Sequence, residues 1–416
     1  MPYKVNKIGG AMLYKVEIEN FYSVGQRQGV DLRARKSVDD PLGRLSPIYP
    51  GAEERAPNVV AVFGPNAAGK SNILRAITFG AWFVGRSFDL RPDCNLPYQK
   101  FGSEERISKP TRLSFSFAGP VELRELSSAG RQCPYTYEIV LSERDVQNLD
   151  VVQKERMSYR PKGHGKPTTI FERDHRGSVK AMKGFLPSGT DKALKEVLRP
   201  RASVIATLAQ LNHIVAQAFV QSLSSVVSNI FLDRVEEDGW QLTRWYQNNA
   251  AALDELQRIA KRIDLGIEEI AIDTATSDPR LLFKHSGLDQ IITFNRESHG
   301  TQQFIKVLPY ILMALDSGGV AIIDELDTTI HPLILPEILR WFLDRDRNSH
   351  NAQLWTTCHS ASLLSELTKE EILFCEKDAT GNTSVFKLAD VERVRRNENF
   401  YGKYLGGEYG AVPVLG

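Results

Sequence analysis

Apolar positions along this chain change period several times, and each change marks an element. Residues 13–18 alternate apolar and polar, as a half-buried strand does. A loop rich in Pro, Gly and charge covers 37–57. Val59-Val60-Ala61-Val62-Phe63 is a continuous apolar run, the pattern of a strand covered on both faces of a parallel sheet. Residues 71–79 then read as a helix. Short alternating segments at 113–117, 135–141 and 168–171 predict an antiparallel β subdomain. From about 191 to 263 the period becomes helical, with Leu242, Trp245, Tyr246, Leu253, Leu256, Ile259, Ala260 and Ile263 on one face. The pattern spans too few heptads for a long coiled coil. Strand signals return at 267–272 and 281–284. Residues 302–315 read as a helix, and 320–323 and 353–357 as buried strands.

Strands and helices thus alternate at both ends of the chain. This order predicts one α/β head built from two sequence-distant halves, residues 12–180 and 264–416, around a helical insertion at 181–263. A length of 416 residues suits that arrangement, and Met12 is a second candidate start besides Met1. With 42% hydrophobic and 25% charged residues the composition is that of a globular protein. A net charge of +1 leaves nucleic-acid contact to local patches. Cys94, Cys133, Cys358 and Cys375 form no C-x-x-C pair, which argues against zinc knuckles or a disulfide framework. The first residues carry no apolar signal-peptide core. The most apolar long stretch, 204–220, is broken by Gln210, Asn212, His213 and Gln217. A soluble, cytoplasmic protein with no membrane partner is the expectation.

Two motifs carry chemistry. Gly64-Pro65-Asn66-Ala67-Ala68-Gly69-Lys70-Ser71-Asn72 follows the buried strand and opens a helix. Its glycines let backbone N–H groups approach phosphates, at a helix N-terminus whose dipole favours anions. Lys70 reaches the β- and γ-phosphates, and the Ser71 hydroxyl ligates Mg²⁺. Val320-Ala321-Ile322-Ile323-Asp324-Glu325 carries a carboxylate to a strand end, where Asp324 can hold Mg²⁺ through water. Glu325 is then the candidate base for attacking water. Taken alone, the two acids could equally cap a turn; beside the phosphate loop they read as its partner. ATP and Mg²⁺ are the expected ligands, and ATP hydrolysis the expected reaction. Glu297-Ser298-His299-Gly300-Thr301-Gln302-Gln303 precedes another helix. Its hydroxyl and amides form an anion site or, from spacing alone, a plain N-cap.

The order of these motifs, continued by Leu326-Asp327 and the strand-borne Thr356-Thr357-Cys358-His359, resembles the ATP-binding-cassette head. The resemblance implies an ABC-type P-loop head with a mixed sheet and a β subdomain. In that class the serine-glycine signature of one head closes over ATP held by another. Ser298 and Gly300 would then touch the partner's γ-phosphate. Asp327 would sit at the dimer seam, and His359 would be the switch histidine. Gln99, after Leu96-Pro97-Tyr98, would be the Q-loop metal contact. The implied catalytic set is Lys70, Glu325 and His359, and the implied assembly a homodimer or higher even oligomer. The long interval from Lys70 to Ser298 favours the SMC-like branch over the transporters.

Within that branch the chain resembles prokaryotic defence ATPases of the RloA/AbiL type, related to the PARIS and overcoming-lysogenization-defect systems. The resembling strings include Ile18-Glu19-Asn20-Phe21-Tyr22-Ser23-Val24, Ile170-Phe171-Glu172-Arg173, Asp324-Glu325-Leu326-Asp327 with His331-Pro332, and Glu376-Lys377-Asp378. The most discriminating is Tyr404-Leu405-Gly406-Gly407-Glu408-Tyr409-Gly410-Ala411-Val412-Pro413. Relatives usually place an acid after the switch histidine; here Ser360 stands there. The stretch after His359 is too short for an appended TOPRIM nuclease. The resemblance therefore implies a sensor or regulatory subunit of an abortive-infection system, its nuclease or toxin on a separate chain. A RecF-like repair ATPase that clamps DNA is the alternative. Arg33-Ala34-Arg35-Lys36, residues 154–166 and Arg393-Val394-Arg395-Arg396 are the basic clusters that could meet nucleic acid, unless neighbouring acids balance them.

Overall fold

The structure is a computed structural model that describes residues 12–123, 130–143, 149–186, 189–231, 239–262, 266–275, 278–327 and 334–412. Ile263, His331, Pro332, Pro413 and the start at Met1 lie outside the described residues. The first part of the chain forms β1 (Leu13–Glu19), β2 (Gln28–Asp31), β3 (Leu45–Pro47), β4 (Arg55–Pro57), β5 (Val59–Phe63), α1 (Lys70–Arg86) and α2 (Glu104–Ile107). Then come β6 (Thr111–Pro120), β7 (Gln132–Glu143), β8 (Asp150–Tyr159), β9 (Thr168–Arg173) and β10 (Val179–Ala181). The middle holds α3 (Thr190–Val197), α4 (Val204–Gln210), α5 (Ile214–Leu223), β11 (Val226–Ser228), α6 (Gly239–Asn248) and α7 (Ala250–Arg262). The last part contains β12 (Ile267–Asp273), β13 (Arg280–His285), β14 (Ile292–Thr293), α8 (His299–Ser317), β15 (Val320–Ile323) and α9 (Leu335–Leu343). It ends with β16 (Gln353–Thr357), β17 (Ile372–Lys377), β18 (Thr383–Lys387) and α10 (Phe400–Leu405).

A six-stranded sheet ordered β11-β15-β16-β5-β17-β18 forms the centre, parallel throughout except for the β17–β18 pair. Every residue of β5, β15 and β16 is buried; β5 and β15 are continuous apolar runs, while in β16 the buried Gln353 and Thr357 side chains find hydrogen-bond partners. Alternate side chains feed two cores. Val60, Val62, Ile322, Trp355 and Leu373 pack toward α1, α4, α5 and a seven-stranded antiparallel sheet ordered β10-β9-β8-β7-β6-β1-β2. Val59, Ala61, Phe63, Ile323, Leu354 and Phe374 pack toward α6, α7, α8 and α9 on the other face. The result is a layered mixed α/β P-loop head with a β subdomain, the architecture expected.

Four local differences from the sequence reading have physical causes. Helix α1 runs on to Arg86, because Phe79 and Phe83 continue its buried face. Gly80 within it lets β6 approach; a Cβ there would lie 2.5 Å from the Phe115 ring. The apolar face between 242 and 260 is shared by two helices, α6 and α7, separated at Asn249, whose amide donates to the Trp245 carbonyl at 2.7 Å. The stretch 181–263, expected as a helical insertion, also supplies β11, which pairs parallel with β15 at the edge of the central sheet. Half of the basic run 154–166 is strand β8. Lys154 and Arg156 face Glu172 at 3.5 and 3.6 Å, while Glu155, Met157 and Tyr159 turn inward. Among the described residues, no helix is long and apolar enough to cross a membrane.

Glu155 joins the β subdomain to the helical layer. Its carboxylate is fully buried and accepts from the Tyr137 hydroxyl (2.8 Å) and the Val204 N–H (3.0 Å), with Arg173 at 3.8 Å. Burial pushes its pKa from the ordinary 4.5 up to about 7, although Arg173 pulls the other way. A folded-state pKa above the unfolded one means that the folded chain holds this proton more tightly. The contribution to stability is thus complete below pH 4.5 and is lost as the pH rises through about 7. Glu155→Gln, fixed in the neutral form, should flatten the fall in melting temperature between pH 5 and about pH 8, read by thermal denaturation across that range.

Candidate nucleotide site

Between β5 and α1 the chain takes a conformation that few residues tolerate. Gly64 has φ 144° and Gly69 φ 98°. A Cβ on Gly64 would collide with the Cys375 carbonyl of β17, and one on Gly69 with the Thr383 hydroxyl of β18. Ala67, at φ 62°, stores strain in the same loop. From below, the Thr383 hydroxyl donates to the Ala68 carbonyl (2.8 Å) and lies 2.7 Å from Ser23 Oγ. The Asn72 amide donates to that same Ser23 oxygen at 2.7 Å. The loop is therefore clamped between the turn after β1 and the start of β18. Lys70 is buried and folds back over the cradle, its ammonium donating to the carbonyls of Gly64 (2.9 Å) and Pro65 (3.1 Å). Burial pushes its pKa down; Cys375, Asp324, Glu325 and Asp327 oppose that shift.

The acidic half meets the cradle directly. Asp324 Oδ1 accepts from the Ser71 hydroxyl (2.8 Å) and from the Thr357 hydroxyl (2.7 Å). Asn229, just past β11, clasps the Asp324 backbone: its Oδ1 accepts from the Asp324 N–H (2.7 Å) and its Nδ2 donates to the Asp324 carbonyl (3.2 Å). Glu325 sits at φ 53°, a strained value for a non-glycine residue, held by its N–H donating to Thr357 Oγ1 at 2.7 Å. Its carboxylate lies 3.5 Å from His359 Nε2. Asp327 Oδ2 accepts from the N–H groups of His359 (2.7 Å) and Ser360.

Lys70, Ser71, Asp324, Glu325, Asp327 and His359 thus form one connected cluster. Ser298 and Gly300, at the start of α8, share no hydrogen bond with it. Ser298 is exposed and caps that helix, its Oγ accepting from the Thr301 N–H at 3.2 Å. Gln99 is exposed, and its carbonyl accepts from the Tyr22 N–H at 2.8 Å; no hydrogen bond joins its side chain to Ser71 or Asp324. Sequence reasoning missed Thr383, Asn229 and the roles of Ser23 and Thr357. Thr357 ends a recognised strand and could have been found by asking what its hydroxyl bonds; Asn229 carries no sequence signal. A hydroxyl and a carboxylate converging at 2.8 Å form a hard-oxygen donor pair that fits Mg²⁺ sharing its shell with phosphates and water. Among the described residues no group of three His, Cys, Asp or Glu gathers as a metal cage.

Strand order and cradle together define a P-loop nucleotide-binding head, with β16 inserted between the loop strand β5 and the acidic strand β15. The model of the family described as "AAA domain, putative AbiEii toxin, Type IV TA system" matches residues 59–365, well over half of the chain, and the chain belongs to that family. Among solved structures it is similar to the SMC head domain from Thermotoga maritima, at 14% identity and a TM-score of 0.36, covering 90% of this chain and 98% of that one. It is also similar to the Smc head domain of Pyrococcus furiosus with an extended coiled coil bound to the C-terminal domain of ScpA. There the identity is 13% and the TM-score 0.43, covering 91% and 97%. No curated protein matches.

Thr357→Val keeps the volume of the side chain but removes the hydroxyl shared by Asp324 and the Glu325 N–H. Phosphate release by the purified protein should fall about tenfold or more. Nucleotide affinity, measured by titration, should change far less, because the cradle itself is intact.

Proposed function

We propose that this chain is an ATPase whose two copies close head to head around ATP, acting as the sensor or regulatory subunit of an antiphage system with its effector on a separate chain. The observation that carries the ATPase reading is the Asp324 carboxylate bonded to Ser71, with Glu325 and His359 3.5 Å apart one residue further on. ATP would lie along the Gly64–Ser71 cradle with Lys70 swinging from its carbonyl contacts to the phosphates. Ser71 and Asp324 would hold Mg²⁺, which when bound supplies charge neutralisation at the β- and γ-phosphates. Glu325 would accept a proton from the attacking water, with His359 beside the same γ-phosphate. Ser298 bonds only within the first turn of α8 and leaves the cradle untouched, which supports a composite site completed by a second copy. The family description, with its AbiEii toxin and Type IV toxin–antitoxin system, supports the defence role over a housekeeping one.

ATP would then act as adhesive and fuel. Ligand at ~100 times its dissociation constant stabilises the competent state by about 2.7 kcal/mol, and two sites at one seam double the effect. Hydrolysis would release the dimer.

One observation favours the DNA-clamping alternative. A groove of ≈ 850 Å³ lies on the antiparallel sheet, lined by Lys15, Arg33, Lys36, Arg160, Lys162 and His164. Acids offset much of that charge. Arg33 pairs with Asp31 and Glu54, Lys36 with Glu53, and Lys15 with Glu17. In the third basic cluster Arg396 lies near Asp40 and Glu370. This balance favours the regulatory reading, with strong stimulation of ATP turnover by duplex DNA as the result that would reverse it.

Glu325→Gln should accumulate an ATP-bound dimer in size-exclusion chromatography while phosphate release drops by two orders of magnitude or more. Lys70→Ala should lose nucleotide binding and remain monomeric. Wild-type turnover in Glu325→Gln would remove Glu325 from the mechanism.

A further inference from the structure

The loop that presents Ser298 is tied to a different part of the molecule from the cradle. β13 is the central strand of the small sheet β12-β13-β14, and His285 ends it. Its imidazole Nε2 lies 2.6 Å from Oε1 of Glu297, whose side chain is only 4% exposed. Glu297 is the residue immediately before Ser298. Its carbonyl accepts from the Gln302 side chain at 2.9 Å, and the Ser298 carbonyl accepts from the Gln302 N–H at 2.9 Å. The first turn of α8 is thus fixed at both ends of one residue: by its own Gln302 and, through the Glu297 carboxylate, by β13.

That carboxylate poses a physical problem for an anion site. It is buried one residue away from the hydroxyl and amides that would meet a phosphate, so an unshielded negative charge there would repel the ligand. A short hydrogen bond from His285 satisfies the carboxylate oxygen and spreads its charge onto the imidazole.

We propose that His285 is a positioning residue for the signature loop, its hydrogen bond to Glu297 holding Ser298, Gly300 and the first amides of α8 in the geometry that receives the partner's γ-phosphate. The inference rests on the head-to-head reading above, and it adds a specific route into that site. A displacement of the β12-β13-β14 sheet reaches Ser298 through this pair as well as along the chain that leaves β14 at Thr293 and passes through Phe294–Arg296.

The test uses the full chain carrying Glu325→Gln, in which ATP-bound dimers should accumulate. The ATP concentration needed for half-maximal dimerisation is measured by light scattering, and ATP affinity by titration of dilute monomer. His285→Ala should raise the dimerisation midpoint about tenfold, the loss of one charge-assisted hydrogen bond, with monomer affinity unchanged. His285→Gln, which keeps a donor, should recover most of the effect, as should Glu297→Gln in the His285→Ala background, which removes the orphaned charge. In the otherwise wild-type chain, His285→Ala should show the same rise in the ATP concentration for half-maximal turnover. A dimerisation midpoint unchanged in His285→Ala, while Ser298→Arg abolishes dimers, overturns the positioning role and leaves the composite site standing. Equal loss of monomer ATP affinity in His285→Ala, with no recovery by either glutamine variant, assigns the pair to general folding and overturns the proposal. Normal ATP-dependent dimers in Ser298→Arg overturn the head-to-head reading itself, and the positioning role with it.

Discussion

Everything at this site hangs on one carboxylate oxygen. Asp324 Oδ1 is shared by the Ser71 hydroxyl at the head of α1 and the Thr357 hydroxyl at the end of β16. Three elements far apart in sequence meet at that atom, which is possible only because β16 lies between β5 and β15 in the sheet. Parallel pairing brings the carboxyl ends of all three strands to one edge, where open α/β sheets bind ligands. Hydrogen bonds to a charged group are worth ~1.5–3 kcal/mol each, enough together to hold Glu325 in its strained φ of 53°. The strain has a use: it turns the Glu325 carboxylate out of the sheet toward His359.

The cradle depends on a second constraint, acting from the opposite side. Gly64 lies against the Cys375 carbonyl of β17, and Gly69 against Thr383 of β18. The loop is thus shaped by the strands that follow the acidic motif by some fifty residues as much as by its own glycines. Ser23 closes the clamp from the turn after β1, so an early and a late segment of the chain meet beneath the cradle.

These two constraints explain what could be read in advance. Val59–Phe63 and Val320–Ile323 announced themselves because burial on both faces demands unbroken apolar runs. The cradle and Asp324-Glu325 were legible because backbone shape and charge leave little choice of residue there. Strand β8 was hidden because Lys154 and Arg156, facing Glu172, resemble a basic patch as a string while alternating as a strand. β11 was hidden by its brevity inside a helical stretch. Asn229 was illegible for a further reason: its role comes from backbone hydrogen bonds across 95 positions, and a single polar residue carries no period. Ser23 and Thr383 share that fate, since hydroxyls in turns satisfy local backbone far more often than a distant loop.

The C-terminal string acquires a physical meaning from the same geometry. Tyr404 stacks on Phe374 with ring centroids 5.2 Å apart, and Tyr409 packs against the same ring at 6.0 Å. The Ala411 N–H donates to Glu376 at 2.6 Å, and Gly410, at φ 71°, leaves no room for a side chain beside that carboxylate. Both partners lie on β17 and flank Cys375, whose carbonyl sets the shape of Gly64. Phe374 also meets Phe63, the last residue before the cradle, at 6.3 Å. A run of Tyr, Gly and Ala that touches no candidate catalytic side chain is therefore one step removed from the phosphate loop. It braces the strand against which the first glycine turns, and each of its residue types answers to that packing: aromatic rings for Phe374, glycine for the close approach, a free N–H for Glu376.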